Sequence, residues 1–308
     1  MKPALPRPLA AVLSPPTWPG TLERPIPKAR LGTSYDTTWA RTPAARVGRA
    51  IMLDNLTRPL VHLLATPEVS GLEHLAPLER PVIFAGNHAS HLDTSILLSC
   101  LPARFRHKSV VAAASDYFFD RHWKAALWSF ALGTIPIERT KVERRSLELI
   151  AGLLDEDWSL VIFPEGGRTP DGWGQEFRGW AAYLAKRCGV PVVPFHLRGT
   201  RPILAKGSST LRPGRVEVRF GDALRLEPAG PERREEDARR FGARIEAAVA
   251  LLADEAESDW WSARRRASDG TTPPLRGPQA APWRRSWTLP DSARKDGARR
   301  RLGSAQPW

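Results

Sequence analysis

Two histidines and a carboxylate lie close together in Gly86-Asn-His-Ala-Ser-His-Leu-Asp93, directly after the apolar run Pro81-Val-Ile-Phe-Ala85. His88 and Asp93 are five positions apart. On a straight helix that separation turns ~140° beyond a full circle, so the two side chains would not face each other. They meet only if His88 sits in the turn ahead of the helix. There the carboxylate fixes the imidazole tautomer and leaves the second ring nitrogen to take up a proton, the arrangement of a general base. A plainer reading makes Ser90 and Asp93 a capping box, with an acid favourable near a helix N-terminus. His88, His91 and Asp93 are also potential metal ligands. Zinc sites recruit further ligands downstream, and His107, His122 and His196 are isolated from acid clusters. No metal is expected.

Three further segments carry chemistry. Gly133-Thr-Ile-Pro-Ile-Glu-Arg139 ends an apolar stretch on an arginine, a residue suited to bidentate phosphate binding, although a surface ion pair with Glu138 or Glu143 is the plainer reading. Phe163-Pro-Glu-Gly-Gly-Arg168 follows another apolar strand. A turn at the carboxyl end of a parallel strand is where α/β proteins build sites. Gly166 and Gly167 allow close backbone approach there, and Arg168 offers a second anion fork. Val190-Pro-Val-Val-Pro194 supplies a wall rather than chemistry. The sequence contains no Gly-x-Ser-x-Gly elbow, Walker loop or dinucleotide glycine fingerprint. Trp173 and Trp180 are candidates for the rim of a site or for packing.

Strands are expected at 81–85, 109–114, 158–163, 190–197 and 216–220, and helices at 94–101, 118–132, 142–154 and 181–186. Phe241, Ile245, Val249 and Leu252 recur every three or four residues and predict a closing helix. Strands separated by helices imply a mainly parallel sheet with helices on its faces. The expected fold class is therefore α/β, a single domain with a mainly parallel β-sheet flanked by helices. It carries an N-terminal helical segment and a disordered basic C-terminal tail.

Charge divides the 308-residue chain. Residues 1–50 hold 8 Lys/Arg against 2 Asp/Glu, residues 260–308 hold 11 against 3, and 27 against 28 remain between them. The net charge of +13 thus resides in the flanks, and such flanks seek phosphate on nucleic acid or on an anionic membrane. Residues 1–43 are Pro-rich and read as irregular. Residues 44–66 read as a helical segment that Pro59 breaks, with Arg46, Arg49 and Arg58 among Ile51, Leu53, Leu56, Leu60 and Leu64. That pattern suits either a membrane interface or packing on the domain's own core. Residues 67–259 form the expected domain, and 260–308 a basic, tryptophan-bearing tail with too little to bury to order itself. No stretch approaches the ~20 apolar residues of a spanning helix, and prolines interrupt any secretory apolar region. Two cysteines, Cys100 and Cys188, exclude a disulfide framework.

Taken together and in this order, the four segments resemble the glycerolipid acyltransferase family over roughly 81–222. The resemblance implies that His88 is the general base and Asp93 its partner. It also implies that Arg139, Glu165, Gly166 and Arg168, with Gly167 between them, bind the glycerol phosphate of the acceptor. Two positions depart from the family pattern. Gly167 stands where a threonine or another small residue is frequent, and Trp180 stands where glycine is common in Phe177-Arg-Gly-Trp180. The implied reaction moves a fatty acyl group from acyl-CoA or acyl carrier protein to lysophosphatidic acid, with no cofactor beyond that co-substrate. An acyltransferase or transacylase acting on another lysophospholipid, or a non-catalytic anionic-lipid-binding protein, is the alternative. A lipid acceptor implies peripheral contact with an anionic membrane, on the cytoplasmic, inner face of the cell membrane. A nucleic-acid partner is not expected.

Overall fold

Residues 82–86 show how the chain builds its core. Val82 and Phe84 point to one face of the sheet while Ile83 and Ala85 point to the other, and all four are completely buried. A strand covered on both faces reads as a continuous apolar run, which is the signature of a parallel sheet between helices. The computed structural model describes residues 32–138, 144–169, 173–204, 211–226 and 234–276. Most of the expected Pro-rich segment, Arg139, and residues 277–308 of the expected tail lie outside the described residues.

The chain opens with α1 (Pro43–Met52), a π-helical stretch (Leu53–Thr57) and α2 (Arg58–Ala65). Thr42 caps α1 through its side chain, and Pro59 stands in the first turn of α2, directly after the π-helical stretch. The expected break at Pro59 is therefore a change of helix rather than a gap. Leu53, Val61 and Ala65 face the core, whereas Val47, Ile51, Leu56, Leu60 and Leu63 are exposed. Strand β1 (Pro67–Ser70) leads to β2 (Ile83–Gly86), then α3 (Asp93–Cys100) and the short α4 (Ala103–Arg106). Next come β3 (Ser109–Ala114), α5 (Ser115–Phe118), α6 (His122–Leu132) and β4 (Thr134–Ile137). Helix α7 (Arg144–Asp155) precedes β5 (Ser159–Ile162), and α8 (Trp180–Cys188) precedes β6 (Val192–Arg198). The short α9 (Thr200–Ile203), β7 (Val216–Phe220), α10 (Arg234–Glu257) and α11 (Trp260–Ser268) complete the described chain.

The seven strands lie in the order β1-β7-β6-β2-β5-β3-β4. Every adjacent pair is parallel except β6 with β7, so the sheet is mainly parallel with helices on both faces, as expected. One face packs on α2 and α3 through Phe84, Leu97, Phe105, Phe195 and Phe220. The other packs on α7, α8 and α10 through Ile83, Ile150, Leu160, Leu184 and Phe241.

Three features differ from the sequence expectations. Strands β1 and β4 are too short and too interrupted by proline to carry a periodicity of their own; they exist because longer neighbours pair with them. The single helix expected over 118–132 is two, divided at 119–121. The tail expected to be disordered from residue 260 begins with α11. Asp259 caps that helix by accepting from the Ser262 N–H at 3.0 Å, and Arg266 forms a two-pronged pair with Asp254 of α10 at 2.7 and 2.8 Å. Ion pairing to the neighbouring helix adds to the burial of Ala263 in holding α11 there.

Candidate active site

Strands β2, β3, β4 and β5 run the same way, so the segments that leave their carboxyl ends gather at one edge of the sheet. A cavity of about 460 Å³ opens there. His88, His91, Tyr117, Glu138, Phe163, Gly166, Gly167, Arg168, Arg178 and Trp180 contribute to its lining.

His88 stands in the turn between β2 and α3, two residues past the strand. The turn brings its Nδ1 to 2.8 Å from Asp93 Oδ2, although a helix would hold the two apart. Asp93 is fully buried, and the same Oδ2 accepts the main-chain N–H groups of Ala89 at 2.7 Å and Ser90 at 2.8 Å. The bond from Ser90 is half of the expected capping box, so the capping and base-orienting readings describe the same carboxylate. With Asp93 ionised, Nδ1 carries the proton and Nε2 is left with its lone pair. The His88 ring stacks on Phe163, with centroids 4.2 Å apart and planes 21° from parallel. Asp93 and Phe163 together orient an imidazole at the cavity wall.

Glu165 is also buried. Its Oε1 accepts the His88 N–H at 3.0 Å and its Oε2 accepts the Gln175 N–H at 3.2 Å. Burial pushes this carboxyl up to about 8, against the opposing pull of those two amides. Both oxygens thus tie the main chain at His88 to the turn after β5. The Thr169 N–H adds a bond to the His88 carbonyl at 2.9 Å, so the two motifs are joined on both sides of the imidazole.

Gly166 has φ +72°, and a Cβ there would lie 2.9 Å from Arg178 Nε. Glycine is favoured at that position by its left-handed conformation, since the Arg178 side chain could shift to admit a Cβ. A Cβ at Gly167 would meet nothing within 4 Å, so the departure noted at this position is sterically neutral. The Gly167 carbonyl accepts from Gln175 Nε2 at 3.0 Å. The guanidinium of Arg168 meets His91 Nε2 and lies over the ring of Tyr117, 5.5 Å from its centroid. Burial, followed by the charge of Arg168, holds His91 below the ordinary histidine range.

The loop at 173–178 that supplies Gln175 is held from outside. The Gly174 N–H donates to the Leu275 carbonyl at 2.9 Å, and the Phe177 N–H reaches Glu246 of α10 at 3.4 Å. Arg276 approaches Glu246 at 3.5 Å.

The structure therefore brings together His88, Asp93, Glu165, Gly166, Gly167 and Arg168, and Arg139 follows the lining residue Glu138 but lies outside the described residues. Trp180 is buried against the cavity, whereas Trp173 is not among its lining residues. Tyr117, Gln175 and Arg178 were missed from sequence. Arg178 lies inside the noted Phe177-Arg-Gly-Trp180 segment and was within reach of the reading. Tyr117 and Gln175 carried no local signal. Among the described residues no group of three or more His, Cys, Asp or Glu is placed to hold a metal ion.

A family model described as Acyltransferase matches residues 66–198, the stretch from just before β1 to the end of β6. A 1-acyl-sn-glycerol-3-phosphate acyltransferase of Chlamydomonas reinhardtii is 34% identical over 163 residues, which cover 51% of this chain and 46% of that protein. The alpha form of 1-acyl-sn-glycerol-3-phosphate acyltransferase from Bos taurus is 30% identical over 168 residues, 54% of this chain and 56% of that one. The chain thus spans about half the length of the curated relatives it matches. Among solved structures, the 1-acyl-sn-glycerophosphate (LPA) acyltransferase of Thermotoga maritima has a similar fold, with a TM-score of 0.54 at 22% identity, covering 71% of this chain and 84% of that one. The ordered motifs, their convergence at one sheet edge and the family match agree in making residues 66–198 similar to the Acyltransferase family model.

Proposed function

We propose that this protein transfers a fatty acyl group from an acyl thioester to the free hydroxyl of lysophosphatidic acid, forming phosphatidic acid. The carrying observation is the 2.8 Å contact between His88 Nδ1 and Asp93 Oδ2 at the wall of a largely apolar cavity that also contains Arg168. The similarity to 1-acyl-sn-glycerol-3-phosphate acyltransferases supports the choice of acceptor.

His88 Nε2 takes the proton of the acceptor hydroxyl as that oxygen attacks the thioester carbonyl. The C–O bond forms, the C–S bond breaks, and the departing thiolate receives the proton back from His88. Because thiolate leaves readily, the step needs no covalent enzyme intermediate, metal or further cofactor. Asp93 holds the productive tautomer of His88, whose general-base help is worth ~10²–10⁴-fold. Arg168 holds the acceptor phosphate so that the hydroxyl is presented to His88, a gain made through geometry. Arg139 is assigned the same role by the resemblance of its motif. Glu165 acts from behind, by fixing the His88 main chain to the Glu165–Arg168 turn.

A lipid acceptor requires a membrane surface. Among the described residues no helix is long and apolar enough to cross a membrane. The exposed Val47, Ile51, Leu56, Leu60 and Leu63 of the α1–α2 pair, with the basic flanks, suit peripheral contact with the anionic inner face of the cell membrane.

Acceptor profiling tests the reading. Thiol release from acyl-CoA, and separately from acyl carrier protein, is measured with lysophosphatidic acid and with other lysophospholipids. Release that depends on lysophosphatidic acid and yields phosphatidic acid is expected. A preference for another lysolipid would reassign the acceptor, and lipid binding without release from either donor would favour a non-catalytic anionic-lipid-binding protein.

A further inference from the structure

His91 lines the same cavity as His88, yet the base-and-carboxylate pair makes no use of it. Its Nε2 meets the Arg168 guanidinium. Its ring lies 5.9 Å from that of Tyr117 with the planes 34° apart, and Arg168 covers the same Tyr117 ring. A guanidinium is donor-only, so this contact requires His91 to accept through a deprotonated Nε2, as a neutral imidazole. Burial and the adjacent Arg168 charge favour that neutral form. Because Nε2 is engaged in this way, His91 is not placed to serve as a second base.

A long arginine side chain loses rotamer freedom when it binds an anion, and ordering it beforehand removes that cost from binding. Tyr117 beneath the guanidinium and His91 at its edge restrain both the plane and the rotation of the fork. We propose that His91 is a positioning residue that, together with Tyr117, holds Arg168 in the orientation from which it receives the phosphate of the acceptor. This rests on the acyl-transfer reading above.

The test uses the full chain, with lysophosphatidic acid titrated at saturating acyl-CoA. His91→Phe keeps a ring beside Tyr117 and removes the acceptor nitrogen. It is expected to raise the acceptor KM about 5- to 10-fold with kcat held within about twofold and the acyl-CoA KM unchanged. His91→Gln restores an acceptor oxygen without the ring and is expected to recover most of the loss. In an Arg168→Ala background, His91→Phe adds no further effect, because its influence travels through the guanidinium. His91→Leu replaces the Phe variant should the larger ring prevent folding. An unchanged acceptor KM in the acceptor-less variant would overturn the proposal, as would an undiminished effect in the Arg168→Ala background. A wild-type protein that transfers to no lysolipid would overturn the parent reading and this inference with it, an outcome distinct from an active enzyme indifferent to His91.

Discussion

At the scale of single residues, two buried carboxylates have different tasks. Asp93 accepts one imidazole and two amide N–H groups on a single oxygen, while Glu165 spends its two oxygens on the main chain of His88 and Gln175. Burial raises the Glu165 carboxyl from 4.5 to about 8. The folded protein then binds that proton more tightly than the unfolded chain, so this group's contribution to stability is fully present below pH 4.5 and is lost as pH rises to about 8. In urea titrations across that window, Glu165→Gln should flatten the decline of the wild-type midpoint. An identical slope in both proteins would mean that the carboxyl is not held in its neutral form. His88 and Asp93 were legible in sequence because both sit in one short motif, and the requirement that His88 precede the helix followed from helix geometry alone. Glu165 was legible as a site residue but its task was not. Its partners, the amides of His88 and Gln175, are 77 and 10 positions away, and only the adjacency of β2 and β5 makes the longer link.

At the scale of elements, the site depends on how closely β2 and β6 approach at Gly86 and Phe195, the last pair of their register. A Cβ on Gly86 would lie 2.3 Å from the Phe195 carbonyl oxygen and 2.5 Å from its ring. Backbone cannot yield there as a flexible side-chain end would, so Gly86→Ala should destabilise by about 3 kcal/mol. The loss of activity should track the loss of folded protein in a thermal melt; a stable, active variant would show that β2 and β6 can separate at the mouth of the site. The long strands and amphipathic helices were legible from their periods, and β3 and β7 agree with the expected bounds. The short β1 and β4 were not, since a four-residue strand is defined by its neighbour rather than by its own pattern. Helix α11 was hidden for a related reason. Its order comes in part from Asp254, Glu255 and Asp259 pairing with Arg266, Arg264 and Ser262, contacts that composition does not reveal. The segment beyond it reaches the loop of Gln175, so residues outside 66–198 help to hold the turn at Glu165.

At the scale of the whole molecule, the α1–α2 pair has one buried face and one exposed apolar face. Leu53, Val61 and Ala65 are buried, and Leu63 is 76% exposed. Helix α6, which packs against α1, exposes Trp123 and Leu127 as well. Burying one such leucine in a bilayer interface is worth ~1.5–3 kcal/mol. Ile51→Glu and Leu63→Glu should therefore each weaken binding to vesicles containing anionic lipid at least about tenfold, with activity toward a detergent-dispersed acceptor retained. Undiminished sedimentation with vesicles would show that this face does not meet the membrane. The proposed reaction gives its proton transfer to one imidazole at the sheet edge, that of His88. The measurement that tests it most directly is thiol release from acyl-CoA in the presence of lysophosphatidic acid, wild type against His88→Ala. Acceptor-dependent release by the wild type is expected, with a loss of ~10²–10⁴-fold in the folded variant. Equal release by both proteins, or release that does not require the acceptor, would contradict it.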